Sequence, residues 1–334
     1  MAAMAVGPFD MAMERLKAII DHLEGSRHVT LGNEIFTHPK VADILLTTRK
    51  ILPEYFSYRN MGGGVPTTAI ALLRRKNRKD ILEILKEAGC HSFDFTLLGG
   101  KENHNKLAKN RAAFDALTDF AHWIKGQGMG LGINLMMNKT LIDDWNEVAA
   151  FVQKFPNAAI LPVVPGFLPV DRLRGFQEHR AQYCDYMKIA GRLSPLGIDE
   201  ESFFAPIDDL CESSVLSKLR NSSQFDYQKD EEGQPRWMFL NIVNNYDIFY
   251  GNAGAHTRKL GNILVDEPEK LLEKIRQLPP NYDWSAYYDI DMLPPMDDLL
   301  AGIMPLSTDF VYPRIQDCIY SWLDARGTSN IIIF

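Results

Sequence analysis

The feature that most constrains this chain is a hydrophobic period that keeps switching between helix and strand. MERLKAIIDHLEG (Met13 to Gly25) predicts a helix ended by glycine, and RHVTL the strand after it. Lys40 to Ile51 predicts a second helix, opened by Thr37-His38-Pro39, and YFSYRN a short strand closed by Met61-Gly62-Gly63-Gly64. RKDILEILKEAG is helical with a glycine stop, and HSFDFTLLG alternates like a strand. Arg111 to Lys125, MGLGINLMM, LIDDWNEVAAFVQKF and AAILPVVPG continue the series as helix, strand, helix and strand. Such alternation makes successive βαβ units and a parallel sheet. The expected class is therefore α/β, with a partial, open TIM-type barrel of parallel strands and outer helices favoured over a doubly wound sheet.

Beyond Gly166 the pattern weakens. Residues 176–194 look helical, and SQFDYQKDEEGQPR (Ser223 to Arg236) is a polar, linker-like stretch. RWMFLNIVNNYDIFY alternates like a β-hairpin turning at Asn244-Asn245, and KLGNILVDEPEKLLEKI follows as a strand end and helix. A boundary is expected near residue 230, giving a barrel-like domain over 1–230 and a small α+β extension over 231–334. No internal repeat or low-complexity tract is apparent.

Charge and composition narrow the function classes. The net charge of −7 provides no global basic field for nucleic acid. The run RRKNRKD (Arg74 to Asp80) is either a local anion patch or the solvated start of the helix that follows it. The N-terminus lacks the basic segment of a signal peptide, and no apolar run is long enough to span a membrane. The cytoplasm is the expected location. Cys90, Cys184, Cys211 and Cys318 are scattered, which suits neither a disulfide framework nor a metal knuckle.

In a parallel α/β architecture, loops at the carboxyl ends of the strands carry the ligand site. The turn Gly32-Asn33-Glu34 in HVTLGNEIFTHP sits on that rim, as do the glycines of YRNMGGG and LLGGKENHNKL. The order of these pieces resembles the radical S-adenosylmethionine (SAM) superfamily from about Met13 to Ile275. VTLGNEIFTHP is similar to that family's "GGEP" strand end, with Asn33 and Ile35 replacing glycine and proline. YRNMGGG is similar to its "TNG" turn, AGCHSFDFTLLGGKENHNKL to its fourth-strand segment, and INLMMNK to its fifth-strand end. IFYGNAGAHTRKLGNIL resembles a SPASM- or twitch-like C-terminal extension.

The resemblance implies a partial barrel that binds SAM. It assigns Gly32, Asn33 and Glu34 to the amino group, and Asn60 to the turn after the third strand. Thr96 and Arg111 would contact the SAM carboxylate, and Asn134 the ribose. It also implies a 4Fe–4S cluster on a C-x3-C-x2-C loop, because such clusters require thiolates. That motif does not occur in this chain, and Tyr250-Gly251 stands where relatives place an auxiliary-cluster cysteine. The expectation is that the first strand and cluster loop are missing and that any SAM site is weak or vestigial.

Each residue also has a plainer reading. Glu34 would stabilise a helix N-terminus, Thr96 and Asn134 would close strands, and Arg111 would be solvated rather than a bidentate clamp. His22, His28, His38 and His104 lack metal-ligand spacing. Met136-Met137 and the stripe Trp237, Phe239, Tyr246 and Phe249 read as core. No G-x-S-x-G elbow or Walker A loop is present. Three functions stay open. One is a radical SAM-type enzyme of peptides or small metabolites, inactive without a cluster segment. Another is a cluster-free binding protein using the rim for a peptide or a partner subunit. The third is an unrelated barrel enzyme using Glu34 for acid–base work.

Overall fold

The computed structural model describes residues 8–24, 27, 29, 31, 33–56, 65–66, 69–167, 176–221, 240–242, 245–250, 258–278, 294–303 and 309–326. The glycine stop Gly25, the turn Gly62-Gly63-Gly64, the polar stretch 223–236 and the aromatics Trp237 and Phe239 lie outside them, as do Gly32 and Asn60. In chain order the first helices are α1 (Phe9–Ile20), α2 (Val41–Ile51), α3 (Ala69–Leu73), α4 (Arg78–Glu87), α5 (Lys101–Leu107), α6 (Ala113–Gly126), α7 (Lys139–Asp143) and α8 (Trp145–Val152). They are followed by α9 (Tyr183–Met187), α10 (Glu200–Leu210), α11 (Glu212–Asn221), α12 (Pro268–Arg276), α13 (Met296–Ala301) and α14 (Ile315–Ala325). The strands are β1 (Val65–Pro66), β2 (Ser92–Leu97), β3 (Gly130–Met136), β4 (Ala159–Val163), β5 (Leu240–Ile242), β6 (Asp247–Tyr250) and β7 (Arg258–Asn262).

Contacts divide the chain into two compact units, each drawn from separate stretches. One comprises residues 1–93, 230–290 and 333–334, and the other 94–229 and 291–332. In the first, α1 packs on α2 and α12, and α2 packs on α4. The periodicity of RKDILEILKE explains α4: Ile81, Leu82 and Leu85 fall on one face and are buried. Its stop is local. Gly89, at φ +86°, lets its own N–H reach Lys86 O and that of Cys90 reach Leu85 O, a left-handed cap that only glycine adopts cheaply. The expected hairpin forms: β5 and β6 pair antiparallel, Leu240 with Tyr250 and Ile242 with Ile248, and β7 completes a three-stranded sheet.

RHVTL and YFSYRN meet at a parallel bridge, Val29 to Phe56, while His28, Thr30 and residues 57–60 lie outside the described residues. Asn33 to Thr37 then winds into a 3-10 turn. The basic run supplies its lock, since the Arg75 guanidinium donates to Phe36 O at 3.0–3.1 Å and to His38 O. Arg75 is thus a clasp for carbonyls, while α4 begins at Arg78 within the same run.

The chain has the expected α/β class: β2, β3 and β4 are neighbouring parallel strands of a sheet ordered β1-β2-β3-β4. β3 and β4 run parallel in register Gly132–Ala159, Asn134–Leu161 and Met136–Val163. Strand period two decides the two faces. Phe93, Phe95 and Leu97 of β2 are buried, as are Ile133 and Leu135 of β3. On this side Phe95 meets Phe151 of α8 at 6.3 Å, and Phe151 stacks at 5.0 Å on Phe114 of α6. The helices therefore cover one face, as the outer layer of a βα structure should.

Candidate functional site

The face of this sheet opposite the aromatic layer carries the polar residues. Ser92, Asp94 and Thr96 of β2 are half-buried, as are Asn134 and Met136 of β3. Side chains paired in register across parallel strands share a face, so Asn134 lies on the side of Leu161, which is 57% exposed. Asp94 crosses the space above Gly132: a Cβ added there would come within 2.8 Å of the Asp94 Cγ. One period further along both strands, Thr96 falls beside Asn134. The result is a small amphipathic platform in which a carboxylate, a hydroxyl and an amide alternate with Met136, Leu161 and Val163.

Of the residues expected from the sequence, Thr96 and Asn134 come together on this platform. Asn33 and Glu34 lie in the 3-10 turn of the first unit. Gly32 and Asn60 are outside the described residues. Arg111 is exposed in the turn between α5 and α6 and is not part of the sheet face. Asp94 was missed by sequence reasoning, although the alternation in SFDFTL places it on the same face as Thr96.

The glycine pair after β2 serves an internal purpose. Gly100 N–H donates to Asp144 Oδ2 at 2.8 Å, Lys101 N–H to Glu147 Oε1 at 2.7 Å, and Asn103 Nδ2 to Asp144 Oδ2 at 2.8 Å. Two carboxylates of the chain thus already fill the amide cradle opening α5, where negative charge is favoured. A Cβ at Gly100 would lie 2.7 Å from the Glu147 Cδ, so glycine is required for this approach. Behind the cradle, Leu98 N–H donates to His104 Nδ1 at 3.2 Å. Burial pushes the His104 imidazole down to about 4, so it stays a neutral acceptor at ordinary pH. His104 is a structural histidine set edge-on to Phe114 at 6.0 Å.

The end of β4 is held by a second polar assembly. Buried Arg180 donates to Pro165 O at 2.5 Å, Gly166 O at 2.9 Å and Val311 O at 3.0 Å, and stacks on Tyr312. Asp317 accepts from Phe167 N–H at 2.9 Å and from Arg314 Nε at 2.9 Å. These contacts satisfy backbone groups that burial would otherwise orphan. They fix the chain after the strand end.

The four cysteines sit in different environments. Cys90, Cys211 and Cys318 are buried and Cys184 is exposed. Cys90 donates to Ser92 O at 3.3 Å and Cys211 to Asp208 O at 3.5 Å, and burial pushes the Cys318 thiol well above its ordinary value. A cluster needs thiolates gathered at one place. Among the described residues no three His, Cys, Asp or Glu side chains form a metal site. Nor is any helix among them long and apolar enough to cross a membrane.

No family profile matches the chain, and no curated protein matches it. Solved structures do. That of native anSMEcpe with bound AdoMet and Kp18Cys peptide aligns at TM-score 0.50 and 12% identity, over 98% of this chain and 91% of that one. That of native anSMEcpe with bound AdoMet gives 0.46 and 12%, over 96% and 89%. At such identity the likeness is one of fold. Along nearly its whole length, this chain shares the fold of a protein solved with AdoMet and a peptide bound.

Proposed function

We propose that this chain is a radical SAM-like protein related to peptide- or natural-product-modifying enzymes, and that by itself it is catalytically incomplete. The observation that carries the reading is the fold likeness over 98% of the chain to a protein holding AdoMet and a peptide. In this reading residues 1–230 descend from the barrel and residues 231–334 from a C-terminal extension. SAM engages the platform of Asp94, Thr96 and Asn134, with Leu161 and Met136 beneath its apolar parts. The turn Gly32-Asn33-Glu34 is the remnant of an amino-group cradle. A cluster, when bound, would supply the electron that breaks the sulfonium bond; in this reading the four dispersed cysteines do not hold it. A second reading is a cluster-free partner protein, and the dispersed cysteines favour it.

The affinity for SAM follows from what is left. Without chelation to iron, only hydrogen bonds and charge-assisted contacts remain, and each tenfold of affinity is about 1.4 kcal/mol. Losing several such units moves a micromolar site towards about millimolar. Ligand-observed NMR and calorimetry on the chain should therefore find weak SAM binding that Thr96→Val and Asn134→Ala weaken further. Micromolar binding indifferent to both substitutions overturns the platform. Anaerobic reconstitution that loads iron and sulfide in cluster stoichiometry overturns the catalytic incompleteness. Activity regained only when a cysteine-bearing polypeptide is added selects the enzyme over the partner protein.

A further inference from the structure

We propose that the turn joining α5 to α6 is a binding site for a phosphate dianion, free or as a monoester. An open depression of about 470 Å³ lies there, lined by Glu102, Asn105, Lys106, Lys109, Asn110 and Arg111. Lys106, Lys109 and Arg111 are exposed, and none of their side chains makes a hydrogen bond or ion pair among the described residues. Three cations face one carboxylate on the surface of a chain whose net charge is −7. That local excess matches a phosphate monoester, which carries a charge of about −1.5 to −2 at neutral pH.

The amide side chains favour the same ligand. Asn105 Oδ1 accepts from Phe114 N–H at 2.8 Å, and Asn110 Oδ1 accepts from Ala112 N–H at 3.0 Å. Both oxygens are thus committed to the start of α6, and what each side chain has left for a ligand is its Nδ2 donor. Together with two ammonium groups and a guanidinium, the depression presents donors suited to several phosphate oxygens.

Lys109 supplies an independent sign. It occupies the left-handed position of a helix cap, φ +51°, with Lys109 N–H on Lys106 O and Asn110 N–H on Asn105 O. The same hydrogen-bond pattern ends α4 with Gly89 at φ +86° and α6 with Gly128 at φ +71°. Twice the chain places glycine at this position, as the backbone prefers. At the third it places a lysine, accepting strain to put a cation in the depression.

The test is NMR titration of the full chain with inorganic phosphate, O-phosphoserine and acetate at a constant ionic strength of about 0.15 M, where general screening is held fixed. Saturable shifts of the Lys109, Asn110 and Arg111 amides with phosphate, at least about tenfold weaker with acetate, are expected. Tighter binding of O-phosphoserine identifies a monoester as the source, and tighter binding of inorganic phosphate identifies the free ion. Lys109→Gly should weaken phosphate about fivefold while leaving the unfolding midpoint unchanged or raised, because glycine relaxes the cap. Lys106→Gln with Arg111→Gln should abolish binding. Equal responses to acetate and phosphate, no saturation by about 20 mM, or an unchanged affinity in Lys109→Gly overturns the site. It lies apart from the sheet face, so its failure leaves the SAM reading untouched.

Discussion

Gly132→Ala should destabilise the protein by about 1 kcal/mol, through Asp94 alone. The added methyl would lie 2.8 Å from the Asp94 Cγ but 3.5 Å from its Cβ. The obstacle nearest the new methyl is thus the Asp94 carboxylate. Overpacking of this sort, where a neighbouring side chain has to move aside, costs about 1–3 kcal/mol. Replacing glycine returns about 0.4–1 kcal/mol by restricting the unfolded chain. Gly126→Ala is the control, because Gly126 is the last residue of α6 and nothing lies within 4 Å of the new methyl. It should stabilise by about 0.5–1 kcal/mol. Urea denaturation, read as midpoint shifts at constant slope, measures both. The decisive comparison is Gly132→Ala in an Asp94→Ala background, where the obstacle is gone and the penalty should vanish. An undiminished penalty there would refute the reasoning and remove the argument that Asp94 roofs Gly132.

Two further predictions concern pH and have opposite signs. Buried Glu212 accepts from Phe310 N–H at 3.1 Å and from Trp322 Nε1 at 3.2 Å, yet burial pushes its carboxyl up from 4.5 to about 7. Stability present below the unfolded value is lost as pH rises through this window, by up to about 3 kcal/mol, and Glu212→Gln should flatten that loss in urea melts between pH 5 and 8. His104, pushed down from 6.5 to about 4, contributes stability that is complete above 6.5 and lost as pH falls towards 4. Its ring nitrogens should report a neutral imidazole at about pH 5.5 by NMR, and a charged ring there would show that the Leu98 contact does not exist in solution.

Local elements were largely legible. The alternation in SFDFTL and GLGINLM marked β2 and β3, the NN turn marked the β5–β6 pair, and the AG after ILEILKE marked the end of α4. RHVTL and YFSYRN are described only in part, and the parallel bridge from Val29 to Phe56 joins them. Of the platform residues, the sequence singled out Thr96 and Asn134. Period two places Thr96 and Asn134 on strand faces but says nothing of which strands adjoin, so Asp94 went unnoticed. The LLGG turn read as a ligand loop because the carboxylates that fill it, Asp144 and Glu147, lie more than 40 residues away.

The sequence by itself determined whatever a few consecutive residues can enforce. It set the helix and strand periods, the glycine stop at Gly89, the lack of a cysteine triad, and the acidic charge balance. Tertiary structure alone decided what each polar group faces. It gave the amides at Gly100 and Lys101 to Asp144 and Glu147, the carbonyls after β4 to Arg180, and the Phe167 amide to Asp317, 150 residues distant. The reason is physical. Backbone propensity acts within a helical turn or a strand pair, whereas a buried donor must find its acceptor wherever packing brings one within reach.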